Sequence, residues 1–138
     1  MEKKMVEYIE FNHTDPDWED PNYEWCWRVN DYEDEETLKY LVRPDDIISN
    51  HKSIKIRFAY PLSDIVELEF TNDIDYFTRK DFVRVVYEGY KHIYDTEKQA
   101  RSSSLNGPFG IWGHRMEDLF LEGAEEVEPG VFKLGMGS

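Results

Sequence analysis

An α+β fold is the class that the sequence predicts, with an antiparallel sheet of four or more strands packed against one long helix. Several segments alternate apolar and polar residues with the period of two that is typical of strands. One longer segment repeats its apolar residues at spacings of three and four, as an amphipathic helix does. The chain has 138 residues, of which 40% are hydrophobic and 15% aromatic, which is enough for a core without disulfides. We therefore expect residues 1–138 to form a single domain.

The long helix is predicted over residues 79–101. Thr78 precedes it as the N-cap residue, and Asp81 three residues later completes a variant of the capping box. Gly89 falls on the apolar face, where the absence of a side chain lets the helix approach the sheet closely. The helix is expected to end at about Arg101, where the sequence RSSSLNGP begins. The other residues of the apolar face are Phe82, Val85, Val86, Tyr90 and Ile93.

A β-hairpin is predicted for the middle of the chain. Apolar residues alternate with charged residues over 54–58 and again over 66–70, and the sequence YPLSD between them supplies the turn. In an antiparallel pairing, Lys55 and Arg57 lie near the glutamates of the second strand on the outer face. The hairpin is therefore expected to have one apolar face and one face of paired charges.

Shorter strands and a second hairpin complete the predicted sheet. Strand patterns occur over residues 6–11 and 24–29, and the stretch from Asn12 to Trp25, with two prolines and five carboxylates, predicts an irregular surface loop. Near the C-terminal end, residues 118–122 alternate in the same way. The sequence EPGV at 128–131 has proline second and glycine third, as a β-turn prefers, and a returning strand follows it.

The acidic charge of the chain is concentrated in its first third. The formal net charge is −14, and residues 1–50 carry 15 acidic and 5 basic residues, a net charge of −10. A field of this sign repels nucleic acid and anionic membranes and favours cationic partners. We therefore expect no direct nucleic-acid partner and no membrane partner. The alternative is that the carboxylates form an ordinary solvated face that keeps the protein in solution.

Cysteine usage and hydropathy predict a reducing, aqueous compartment. The single cysteine, Cys26, allows no intramolecular disulfide, whereas secreted proteins of this size often contain several. The first residues lack the apolar stretch of a signal peptide, and no apolar run approaches the roughly 20 residues of a membrane span. We expect a protein that is not secreted. Cys26 itself, between two tryptophans of a predicted strand, is expected to be a buried small hydrophobe rather than a nucleophile.

The sequence does not assign a catalytic centre. It contains no GxSxG elbow, no phosphate-binding loop and no dinucleotide fingerprint, so we predict no cofactor and no catalytic residue. An alternative is a metal-dependent hydrolase or nuclease-like enzyme that uses His13 and His114 with nearby carboxylates. That alternative requires the two histidines, which are far apart in sequence, to converge in space.

Two kinds of segment are candidate binding regions. The first is acidic, and it comprises the loop after the first strand and the block DYEDEE at residues 31–36. The second is the glycine-rich segment over residues 106–123, which presents large apolar groups and a histidine. A structural alternative for the second is a tight connection whose aromatic residues plug one end of the core. The candidate binding residues are Asp15, Asp17, Trp18, Asp20, Glu33, Asp34, Glu35, Glu36, Phe109, Trp112 and His114.

The glycine-rich segment also carries a resemblance. The sequence GIWGHRMEDLFLEG, followed by a short hairpin ending in KLGMGS, resembles small uncharacterised proteins of the nucleocytoplasmic large DNA viruses, of the marseillevirus and mimivirus types. The resemblance covers residues 106–138. It implies a viral, infection-related setting in the host cytoplasm or nucleus, and it implies no particular reaction.

These observations favour a non-enzymatic interaction protein whose acidic first third binds a basic protein. Histones, or another host or viral protein rich in lysine and arginine, have the required charge. Aromatic residues interleaved with the carboxylates add apolar contact area, which suits an interface if some of them face solvent. A further alternative is a nucleic-acid mimic, in which carboxylates spaced like phosphates occupy a DNA-binding site.

Overall fold

The computed structural model describes residues 8–101 and 115–138, without the side chains of residues 98–101. It is an α+β structure, with the prediction confirmed at that level. The strands are β1 (Tyr8–Glu10), β2 (Asn12–His13), β3 (Trp25–Arg28), β4 (Ile47–Ser49), β5 (Ser53–Phe58), β6 (Val66–Thr71), β7 (Phe77–Thr78), β8 (Phe120–Glu128) and β9 (Val131–Gly137). The α-helices are α1 (Glu35–Lys39) and α2 (Arg79–Arg101), and short 3-10 helices span Val29–Glu33 and Met116–Asp118.

The main sheet is mixed, and the prediction of an antiparallel sheet is wrong in this respect. Its strands lie in the order β2-β3-β8-β9-β5-β6, and β1 pairs with β8 beside the stretch that β3 occupies. The C-terminal hairpin places β9 against β5, and these two strands run parallel. A separate two-stranded sheet contains β4 and β7. Alternation in a sequence indicates which residues share a face, but it carries no information about the direction of the neighbouring strand.

The middle hairpin has the predicted pairing. Strands β5 and β6 are antiparallel, with Lys55 opposite Glu69 and Arg57 opposite Glu67. The Arg57 Nε atom lies 3.8 Å from a carboxylate oxygen of Glu67. The C-terminal hairpin is confirmed as well, because β8 and β9 are antiparallel on either side of the predicted turn.

Helix α2 begins at Arg79, as the sequence predicts, and it extends through Arg101. Its N-terminus is closed by a reciprocal pair of hydrogen bonds, in which the Asp81 backbone N–H donates to the Thr78 hydroxyl at 3.2 Å. In return, the Thr78 backbone N–H donates to the Asp81 carboxylate at 3.0 Å. Both bonds satisfy donors that the first turn of a helix otherwise leaves without a partner. The predicted capping box is therefore confirmed.

The core lies between α2 and one face of the main sheet. The ring of Phe82 packs against Phe132 of β9 and against Phe11, with centroid distances of 5.2 Å in both cases. Further along α2, a Cβ atom on Gly89 would lie 2.3 Å from Cζ of Phe58, so the helix backbone rests directly on that ring. This close contact confirms the predicted role of Gly89. The largest fully buried side chains are Phe11, Trp27, Ile54, Ile56, Phe58, Phe77, Phe82, Tyr90, Ile93, Leu119, Leu121 and Phe132.

Candidate binding surface

The fold brings the acidic loop and the acidic helix α1 together. Strand β2 pairs with β3 on one edge and with the chain after α1 on the other. On that second edge, the Thr14 N–H donates to the Tyr40 carbonyl at 3.0 Å. The loop therefore lies beside α1, and Asp15, Asp17 and Glu36 line one cleft of about 260 Å³. Two segments that the sequence predicts separately are thus parts of one surface.

Two aspartates shape the loop through their own side chains. A carboxylate oxygen of Asp15 accepts the Asp17 N–H at 2.9 Å, and one of Asp20 accepts the Asn22 N–H at 3.0 Å. Such Asx turns hold the chain in a tight conformation without regular secondary structure. Because the backbone folds back twice, Asp17, Trp18 and Asp20 are all exposed to solvent.

An aromatic cluster lies within this acidic loop. Trp25 is at its centre, with ring centroids 5.1 Å from Trp18 and 4.9 Å from Tyr23, both in edge-to-face geometry. The exposed fractions of Trp18 and Tyr23 are 45% and 50%. Edge-to-face packing orders the rings relative to one another while large parts of them stay in contact with water. Trp27, two residues further along β3, is fully buried and belongs to the core.

We refer to these groups together as the acidic–aromatic surface. It comprises the carboxylates of Asp15, Asp17, Asp20 and Glu36 and the rings of Trp18, Tyr23 and Trp25. Its carboxylates line the cleft and the loop beside it, and its rings contact one another directly.

The other predicted acidic residues have different environments. Asp34 is the N-cap of α1, and its carboxylate accepts hydrogen bonds from the side chain and backbone of Thr37 and from the Glu36 N–H. These bonds hold the pKa of Asp34 below its usual value. Glu33 accepts a hydrogen bond from the Tyr87 hydroxyl of α2, and the pKa of Tyr87 is raised to about 12 by desolvation and by this bond. Glu35 lies exposed in the first turn of α1.

His13 lies against Thr14, Trp27 and Asp31. Its Nδ1 atom lies 3.2 Å from the Thr14 carbonyl oxygen, and its Nε2 atom lies 3.7 Å from a carboxylate oxygen of Asp31. Asp31 in turn accepts the Arg28 N–H at 2.9 Å, and burial raises the pKa of its carboxyl. The imidazole also packs edge-on against Trp27, with the centroids 6.1 Å apart. The histidine therefore joins β2 to the segment that precedes α1.

The described residues around His13 supply no set of metal ligands for the alternative of a metal-dependent enzyme. Over residues 8–101 and 115–138, no three histidine, cysteine, aspartate or glutamate side chains come together as metal ligands. Phe109, Trp112 and His114 lie outside the residues that the structure describes, so the convergence of His13 with His114 stays a prediction. Cys26 is half-buried with its Sγ atom 3.8 Å from the Leu121 carbonyl oxygen, and burial raises the pKa of the thiol. A raised pKa disfavours the thiolate that a nucleophile requires.

A second cleft, of about 350 Å³, was not predicted, and it lies between β1, the start of β4 and the first residue of α2. Arg79 lines it with only 6% of its surface exposed. Its Nε donates to the Glu10 carbonyl at 3.2 Å, and its Nη1 lies 3.3 Å from both the Arg43 carbonyl and a carboxylate oxygen of Asp46. The guanidinium thereby joins β1 to the chain before β4. A basic residue in the first turn of a helix gives no signal of burial in the sequence, because the contacts that bury it come from distant segments.

Fold and surface together define a two-layer α+β protein with a long helix on one face of a mixed sheet. No protein-family model, no curated protein and no solved structure matches this chain. In the part of the chain that the structure describes, no helix combines the length and the apolar character that crossing a bilayer requires.

Proposed function

We propose that this protein is a non-enzymatic interaction protein whose acidic–aromatic surface binds a basic protein partner. The observation that carries the proposal is the exposure of Trp18 and Tyr23 among the carboxylates of the same loop. Isolated surface carboxylates need no explanation beyond solvation, whereas large aromatic rings that stay exposed beside them are characteristic of interfaces.

The chemistry of this surface suits lysine and arginine side chains. Carboxylates raise the rate of encounter with a cationic partner, and they fix its register once it is bound. The rings offer faces on which a guanidinium or ammonium group is attracted by the π electrons. The cleft between Asp15 and Glu36 is open enough to admit one long basic side chain. Histones, or another lysine- and arginine-rich protein of a host cell or a virus, would fit this description.

The setting is part of the same proposal. The resemblance of the C-terminal quarter to proteins of large DNA viruses supports a role during infection, in the cytoplasm or nucleus of the host. It supports no enzymatic activity, and the acidic–aromatic surface requires none.

The direct test measures binding to purified core histones at low and at high salt. We expect binding to weaken as salt rises, because exposed charge pairs are screened. Replacing Asp15, Asp17 and Asp20 together with asparagine should weaken binding strongly. Asparagine retains the side-chain oxygen that forms each Asx turn, so this variant keeps the loop and loses only its charge.

A control variant with the same change in net charge distinguishes binding at the acidic–aromatic surface from attraction to the overall negative charge of the protein. Asp64, Asp73 and Asp75 are exposed carboxylates outside the acidic–aromatic surface, and they are replaced with asparagine together. The control should bind histones nearly as well as the unmodified protein. If both variants lose binding equally, only the net charge matters and the proposed surface is wrong.

Two further measurements address the aromatic rings and the nucleic-acid mimic. Replacing Trp18 and Tyr23 with alanine should weaken binding with little change in its salt dependence, because the rings contribute contact area rather than charge.

Competition by duplex DNA for the same histones would indicate that the surface occupies a DNA-binding site, as a mimic does. Binding that DNA leaves unchanged would indicate a separate site on the partner.

A further inference from the structure

Strand β6 forms one edge of the main sheet. Among the described residues it pairs with β5 alone, over its full length of six residues. An edge strand presents N–H and C=O groups that another strand can pair with. Ile65, just before β6, is 67% exposed, and Ile74, shortly after it, is 46% exposed. The strand is thus flanked at both ends by exposed apolar side chains.

The two faces of β6 differ in chemistry. Glu67, Glu69 and Thr71 are exposed on the face of the sheet that α2 does not cover. The alternate residues on the helix side are only half-buried, although corresponding residues of β5 are fully buried. An added strand would therefore bury further apolar surface on the helix side of β6. The half-buried residues of β6 are Val66, Leu68 and Phe70.

Charge on the open face indicates what kind of strand fits. One row across the sheet contains, in order, Glu125, Lys133, Arg57 and Glu67. The two adjacent cations of this row therefore lie between two carboxylates. In a neighbouring row, Lys55 of β5 lies opposite Glu69, so this row also ends at β6 with a carboxylate. In the part of the chain that the structure describes, each row ends at β6 with a carboxylate that has a cationic neighbour on one side only. A basic side chain on the next strand would supply the second neighbour.

A second copy of this chain does not fit the edge. Antiparallel pairing of β6 with itself, centred on Leu68, places Glu67 of each copy opposite Glu69 of the other. Centring the pairing on either glutamate places that residue opposite itself. Like charges directly opposite one another destabilise a pair of strands, and each chain already has a net charge of −14. A shift by one residue would instead turn the apolar residues of one copy towards the open face.

We propose that β6 accepts an extended segment of a basic partner protein, added as a further strand of the sheet. The segment would alternate basic with apolar residues. Its basic side chains lie beside Glu67 and Glu69, and its apolar side chains lie beside Leu68 and its neighbours on the helix side. Main-chain hydrogen bonds supply the affinity and the alternating side chains supply the specificity, as in other cases of β-strand addition. This inference does not depend on the acidic–aromatic surface.

The probe is a capped peptide of alternating lysine and valine, titrated into isotopically labelled protein. We expect chemical-shift changes centred on residues 66–71 and slower hydrogen exchange at the β6 amides that point outward. Changes confined to residues 12–36 would show that the peptide binds only the acidic first third, and this outcome would overturn the proposal. A peptide of alternating glutamate and valine should give no binding.

Methylation of the peptide backbone distinguishes strand addition from simple attraction of charges. N-methyl groups on alternate residues block one hydrogen-bonding edge of the peptide, and a second peptide carries them on the remaining residues. We expect one methylated peptide to retain binding and the other to lose it. If both bind as well as the parent peptide, the main chain takes no part and the proposal fails.

A matched pair of protein variants tests the two glutamates. Glu67→Gln with Glu69→Gln should weaken peptide binding about fivefold, since two favourable cross-strand pairs are lost. Glu88→Gln with Glu117→Gln removes the same charge at exposed positions outside both surfaces, and it should leave binding at β6 unchanged. Equal effects of the two variants would contradict the assignment to β6. Self-association of the free protein through β6, seen as concentration-dependent sedimentation, would also overturn it.

Discussion

At Gly89, the backbone of α2 lies directly against the Phe58 ring of the sheet. The Phe58 ring beneath it is fully buried and lies edge-to-face with Tyr90, their centroids 4.9 Å apart. The ring therefore has little freedom to move away from an added methyl group, whose carbon would lie 2.3 Å from Cζ. Close packing in protein interiors makes such an overlap costly.

We therefore predict that Gly89→Ala lowers the free energy of unfolding by up to about 2 kcal/mol. The overpacking costs about 1–3 kcal/mol, and alanine returns up to about 1 kcal/mol in a helix interior. Combining Gly89→Ala with Phe58→Leu should cost less than the sum of the two single changes, because leucine leaves room for the methyl group. Urea unfolding of the two single variants and of the double variant measures these changes in the free energy of unfolding. A Gly89→Ala protein as stable as the unmodified one would show that the helix shifts freely over the sheet.

Helix α1 depends on one carboxylate at its N-terminus. Asp34 accepts hydrogen bonds from the Thr37 side chain and from the backbone of the first turn, which lower its pKa in the folded protein. A group whose folded pKa is depressed adds stability above its unfolded pKa, near 3.9 for aspartate. That contribution disappears as the pH falls through the folded pKa.

We predict that Asp34→Ala lowers the free energy of unfolding by an amount that depends on pH. The variant should be less stable than the unmodified protein at neutral pH, and the difference should shrink below about pH 4. Asp34→Asn keeps a cap that does not titrate, so its difference from Asp34→Ala should stay nearly constant with pH. Chemical unfolding at a series of pH values measures both differences. If the unmodified protein stays more stable than the Asp34→Ala variant by the same amount at low pH, the effect belongs to packing rather than to charge.

The elements show how far the sequence determines the fold. The start of α2 and the register of β5 with β6 follow from local patterns, because capping, apolar spacing and alternation each depend on residues within one segment. The parallel pairing of β5 with β9 and the burial of Arg79 depend on contacts between distant segments, and no local pattern encodes them. The acidic–aromatic surface lies between these cases. Its residues are visible in the sequence, but their meeting at one cleft depends on the bridge between His13 and Leu41.

For the molecule as a whole, the uneven charge has a thermodynamic consequence. Residues 1–50 carry a net charge of −10, whereas residues 51–100 carry −1. Self-repulsion among like charges destabilises the compact state, and added salt screens it over a Debye length of about 10 Å at 0.1 M. Because the fold brings the acidic loop and α1 together, we expect this repulsion to be strongest in the first third.

We predict that the melting temperature rises with added sodium chloride, and that charge removal from the first third reduces this rise. The variant carries Asp17→Asn, Glu19→Gln and Glu35→Gln, all at exposed positions. It should melt higher than the unmodified protein at low salt and respond less to added salt, because part of the repulsion is already gone. The variant in which Asp64, Asp73 and Asp75 are replaced with asparagine has the same net charge and should keep most of the salt response. Equal responses of the two variants, measured by thermal circular dichroism, would mean that the repulsion is spread over the whole molecule rather than concentrated in the first third.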